Sequence, residues 1–160
     1  MTPKIAAYIA GAVILLVLVT AKANRAFAAL TPAMKFRGSD PFGNGTFGAS
    51  RDGGTRSHNG VDVVATPGQA ILSPISGKVV RIAYPYATDH SYTGLVIENG
   101  SYTVKIFYIT PTIAIGSKVS AGQKIAVAQN LAAKYPGIIN HVHIEVYDSK
   151  GKLLNPTNLF

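Results

Sequence analysis

Apolar residues are arranged along this chain in two ways. Near the N-terminus they dominate one uncharged run, Ile5 to Ala21, inside "KIAAYIAGAVILLVLVTA". After residue 35 they come as short runs of Val, Ile and Leu interrupted by Gly, Pro, Asn and Asp, and no long amphipathic helical pattern appears. Short β-branched runs bounded by turn formers predict strands, so the body of the chain is expected to be a mainly β domain built as an antiparallel sheet. The N-terminal block predicts a hydrophobic helix. It is short for a bilayer span, which takes roughly 17–25 residues, and long for a signal-peptide core of about 7–15. Residues 1–28 therefore read as either a membrane anchor or a cleaved signal, with the membrane met through residues 5–21 in both cases. Lys22 and Arg25 follow the block, and positive charge tends to stay on the cytoplasmic side, so the orientation is left open.

Residues 29–55, rich in Gly, Ser, Thr and Asp with phenylalanines at intervals, read as a linker turning into irregular edge structure. The domain proper spans 56–160. It opens with "SHNGVDVVATPGQ", where Asn59-Gly60 followed by Val61, Val63 and Val64 predicts a turn entering a strand rather than a helix. That turn can bring His58 and Asp62 toward one point. Near the other end, "NHVHIEVYD" (140–148) predicts a strand. Side chains two apart on a strand share a face, so His141 and His143 aim the same way. Asn155-Pro156 is expected to end the last strand, and "SAGQK" reads as a hairpin connection with no helix behind it to bind phosphate.

Composition narrows the chemistry. There is no cysteine, which excludes disulfides, thiol nucleophiles and thiolate metal sites and leaves His, Asp and Glu as ligands. The net charge of +8 on 160 residues favours contact with a polyanion such as nucleic acid, anionic lipid or a phosphate-bearing envelope polymer. No nucleic-acid motif or basic–aromatic interleaving is present, so no nucleic-acid partner is expected. Two imidazoles and a carboxylate on separate strands can fill three tetrahedral positions of zinc and leave the fourth for water, the pattern of a catalytic site. A remaining histidine is then free to act on a proton in transit.

The motifs resemble those of the lysostaphin-type zinc metallopeptidases, bacterial endopeptidases that cut peptidoglycan peptides. The resemblance rests on His58-Asn59-Gly60-Val61-Asp62, Pro67-Gly68, "KVSAGQKIA" (118–126), "HVHIEV" (141–146) and "GKLLNP" (151–156), in that order across residues 56–160. It implies a compact antiparallel β domain with a groove across its sheet. It also implies zinc held by His58, Asp62 and His143, a catalytic His141, and peptidoglycan peptides as partners at the cell envelope or in a virion membrane.

One position departs from that pattern. The family usually carries a further histidine in a Tyr-x-His strand, and the matching stretch "VKIFYITPT" offers Thr110 there. Losing one oxyanion donor costs about 10²–10³ in rate. Tyr108, expected on the same strand face, either presents its phenol to the oxyanion or simply packs; His90 either swings over the groove or is solvated. "KIFYITP" and "KYPGIINHVHIEVYDS" are also similar to segments of leukocyte cell-derived chemotaxin-2, a branch that keeps the zinc ligands and lacks the same histidine. That similarity implies an alternative: a catalytically impaired zinc-binding pseudopeptidase that binds wall peptides or a protein. Glu145 either orients a ligand or faces water. Tyr84, Tyr86 and Tyr92 either line a groove or pack within their loop.

Overall fold

The computed structural model describes residues 26–160, so the apolar block expected to be helical lies outside the described residues. No helix among the described residues is long and apolar enough to cross a membrane. Their regular structure is β-strands with short 3-10 turns at Asp52–Gly54, Leu131–Ala133 and Pro156–Asn158, as the β-branched runs predict.

The main sheet is antiparallel and runs in the order Lys118–Val119, Gly77–Ala83, Gly94–Glu98, Tyr102–Phe107 and His141–Asp148. The far edge of His141–Asp148 is shared. Its first half pairs with Val61–Val64 and its second half with Leu153–Leu154. A second antiparallel sheet holds Ile109–Pro111, Lys124–Ala128 and Ala70–Leu72. Alternation along His141–Asp148 divides its two faces. Val142, Ile144 and Val146 are fully buried in the core with Val61, Val63, Val104 and Ile106, and each such side chain contributes about 1.5–3 kcal/mol of hydrophobic burial. His141, His143 and Glu145 stand on the opposite face.

The stretch before residue 56 is joined closely to this sheet. Leu30 and Thr31 are completely buried, Phe36 bridges to Val63, and Phe27 meets Tyr102 and Phe160 edge-on at 5.1 and 5.7 Å. Arg37 N–H donates to Asp62 O (2.7 Å) and Asp62 N–H to Gly45 O (2.9 Å). These bonds cover the edge of Val61–Val64 that faces away from His141–Asp148, so its backbone groups are not left unpaired.

The chain steps from the first sheet to the second at Tyr108, which has φ +64°. That left-handed conformation is uncommon for a bulky residue. It is held by the bonds on either side, Ile109 N–H to Thr93 O (3.1 Å) and Gln129 N–H to Tyr108 O (2.9 Å).

Candidate metal centre

Asp62 and His143 occupy directly paired positions of the antiparallel ladder, where facing side chains come closest. His143 Nδ1 lies 2.9 Å from Asp62 Oδ1. His58 arrives from the turn ahead of the strand, its Nε2 2.9 Å from His143 Nδ1 and 3.3 Å from Asp62 Oδ1. Gly60 permits this approach. A Cβ there would stand 2.1 Å from Ile144 O and 2.8 Å from the His143 ring, so the glycine in "HNGVD" is a steric requirement of the site.

The three atoms form a triangle with the size of one face of a coordination tetrahedron. Zinc–ligand bonds of about 2.0–2.1 Å imply edges of roughly 3.3 Å. The partners of the remaining polar atoms fit the same role. His58 Nδ1 faces the carbonyl of Thr46 at 2.8 Å; a carbonyl only accepts, so Nδ1 donates and Nε2 is the atom turned toward the triangle. His143 Nε2 faces Glu145 Oε1 at 3.5 Å, leaving Nδ1 for a metal. Asp62 Oδ2 accepts from Arg37 Nε (3.1 Å) and Nη2 (2.9 Å), leaving Oδ1 for a metal. Each candidate ligand thus has its outer atom satisfied, as metal ligands commonly do.

Electrostatics support this arrangement. Burial opposes ionisation of Asp62, yet hydrogen bonds from His143 and His58 outweigh it and hold the carboxyl far below the usual carboxylate range. Glu145 is also half-buried, and its bonds to His143 and Tyr147 bring it down to about 2. It accepts from Tyr147 at 2.7 Å and from Lys105 at 3.3 Å as well, so its side chain is held toward His143 rather than solvated.

His141 lies beside the triangle, its Nε2 3.6 Å from Asp62 Oδ2 and its Nδ1 2.7 Å from Ile139 O. Burial depresses its pKa, with the Asp62 charge opposing, so the ring is neutral near pH 7. Tyr108 meets it edge-on at 5.7 Å between ring centres. Burial raises the phenol's pKa and keeps its proton in place. Both line one groove with His58, Asp62 and His143, and Tyr86, Tyr135 and Phe107 extend that groove as an aromatic wall.

Other expectations are placed differently. Tyr108 and Thr110 do not share a strand face, because the positive φ breaks the alternation between them. Thr110 lies in the second sheet, is exposed and does not line the groove. The side chain facing His141 from that segment is Tyr108. His90 is exposed and stacks on Tyr84 at 4.3 Å without reaching the groove. Tyr84 and Tyr86 line the groove, while the Tyr92 hydroxyl bonds to Asn130 O at 3.0 Å outside it. Arg37 was hidden in the sequence: "KFRGSD" has no motif, and only its 3% exposure and its bonds to Asp62 reveal it.

This fold and site define a class. The chain belongs to peptidase family M23, whose pattern matches residues 56–156. It is 36% identical over 116 residues to leukocyte cell-derived chemotaxin-2 of Mus musculus, covering 72% of this chain and 75% of that protein. A zinc containing peptidase from Vibrio cholerae superposes with TM-score 0.57 at 27% identity, over 81% of this chain and 39% of that one. This chain thus spans about two fifths of the Vibrio protein's length. The catalytic domain of the prophage-encoded M23 protein EnpA from Enterococcus faecalis, solved as a point mutant, shares the fold with TM-score 0.54 at 20% identity, over 82% of this chain and 96% of that one. The fold is lysostaphin-like, as the sequence motifs imply.

Proposed function

We propose that this chain is a zinc metalloendopeptidase that hydrolyses peptide bonds of peptidoglycan. The observation that carries the reading is the convergence of His58 Nε2, Asp62 Oδ1 and His143 Nδ1 within one groove that also presents His141 and Tyr108. Zinc bound there supplies a water of lowered pKa and a Lewis acid toward the scissile carbonyl. His141, neutral with a bare Nε2, takes a proton from the attacking water and returns it to the leaving amine. The Tyr108 hydroxyl donates to the oxygen on which negative charge develops. An extended peptide lies along the aromatic wall formed with Tyr86 and Tyr135. The net charge of +8 favours retention on an anionic envelope, with residues 5–21 as anchor or export signal.

A second reading has its own support. The groove brings a phenol, not a second imidazole, to face His141, and the similarity to chemotaxin-2 goes with it. In that reading the chain is a zinc-binding module for wall peptides or a protein. One experiment separates the two: zinc content of the full chain, with release of amino groups from purified peptidoglycan followed with and without chelator. About one zinc per chain with chelator-sensitive release supports the peptidase. Zinc without release, across several wall types, supports the binding module, and absence of zinc overturns both.

A further inference from the structure

Arg37 is buried to 3% exposure and belongs to neither the metal triangle nor the histidine motifs. A buried guanidinium must be paired to be tolerated, and this one has two carboxylates. Its Nε and Nη2 donate to Asp62 Oδ2 at 3.1 and 2.9 Å, and its Nη1 pairs with Asp40 Oδ2. Asp40 Oδ2 also accepts from Ile139 N–H at 2.9 Å. The carbonyl of that same Ile139 receives His141 Nδ1 at 2.7 Å. The circuit closes on Asp62, because His141 Nε2 stops 3.6 Å from the Oδ2 that Arg37 occupies.

His141 therefore has two competing acceptors, Ile139 O on one side and Asp62 Oδ2 on the other. It has a single ring proton when neutral, and that proton can satisfy only one of them. With two guanidinium bonds already on Oδ2, the carboxylate oxygen is a poor competitor. With Ile139 tethered to Asp40, the carbonyl is held in place as the good one. The geometry points to Arg37, backed by Asp40, as a positioning residue that sets the tautomer of His141: it keeps the proton on Nδ1 and reserves Nε2, bare, for the groove. This inference rests on the reading of His141 as a general base, but its primary readout does not need turnover.

The test is the ring spectrum of His141 in the zinc-loaded full chain, with histidine rings labelled by 15N. Long-range proton–nitrogen correlations distinguish a ring protonated at Nδ1 from one protonated at Nε2. The native chain is expected to show His141 protonated at Nδ1. Arg37→Met removes both bonds to Oδ2 and is expected to move the proton to Nε2, and Arg37→Lys, with one point-like donor, to give a mixture. Zinc affinity of Arg37→Met, read by competition with a chromogenic chelator, is expected to fall about 10–100-fold, as for other residues that hold a metal ligand in place. A native His141 protonated at Nε2 overturns the proposal without any variant, so it does not depend on Arg37→Met folding. A folded Arg37→Met with the native tautomer overturns it as well. Should the native chain release no amino groups from peptidoglycan while the tautomer moves as stated, the peptidase reading fails and the role of Arg37 stands.

Discussion

Asp62 and His143 face each other across paired antiparallel positions, and His143 Nδ1 is 2.9 Å from Asp62 Oδ1. The ladder itself sets one edge of the metal triangle, so the ligand geometry is tied to strand register. A one-residue slip of either strand would turn its own side chain to the other face and separate the pair.

Asp62→Asn tests this carboxylate both as proposed ligand and as partner of Arg37. The substitution keeps the volume and removes the charge, leaving Arg37 with Asp40 alone. Stability is expected to fall by about 3–5 kcal/mol, the usual cost of breaking a buried pair from one side. Urea unfolding measures this, and zinc retained after dialysis against chelator is expected to drop in parallel.

Metal removal has a stability signature that is independent of activity. Zinc at a hundredfold excess over its Kd stabilises by about 2.7 kcal/mol, which corresponds to a melting shift of roughly 5–10 °C at this size. Magnesium is expected to give no shift, because it favours oxygen ligands in octahedral geometry. Thermal unfolding with each ion after chelator treatment decides the matter.

Gly60→Ala places a methyl 2.1 Å from Ile144 O and cannot be relieved by a side-chain rotation. It is expected to cost about 3 kcal/mol, at the upper end for overpacking, and to release zinc. Gly68 makes the contrast. It has open space around it but φ +81°, so Gly68→Ala is expected to cost about 1–2 kcal/mol in backbone strain and to keep its metal. Equal losses in the two variants would contradict the steric account.

Tyr108→Phe removes the hydroxyl and keeps the ring against His141. Loss of an oxyanion donor is expected to lower kcat about 10²–10³-fold with zinc content unchanged. Thr110→His is expected to leave the rate as it was, since position 110 is exposed and lies off the groove. Steady-state rates on a peptidoglycan-derived peptide, paired with elemental analysis, measure both.

The histidines and the aspartate that the structure brings together in the candidate site were legible in the sequence. His58, Asp62, His141 and His143 stand out because few side chains bind metals, and strand periodicity aims the last two at one place. The β architecture was legible from the short β-branched runs. Arg37 was not, because an arginine in a Gly-rich stretch reads as surface charge until tertiary packing buries it. Thr110 was misplaced for a different reason: strict alternation was extended through Tyr108, where the backbone turns to positive φ and shifts every later side chain. Glu145 was ambiguous because its neighbours, Lys105 and Tyr147, are brought to it by sheet pairing.

The two parts of the metal triangle are 81 positions apart in the chain. During synthesis, which proceeds from the N-terminus, His58 and Asp62 emerge long before their partner strand exists. A growing chain therefore carries two of the three candidate ligands and no complete candidate site until His141–Asp148 has been made and has zipped onto Val61–Val64. Hydrolytic competence, in a protein proposed to cut peptidoglycan peptides, is thereby deferred until nearly the whole domain has been synthesised.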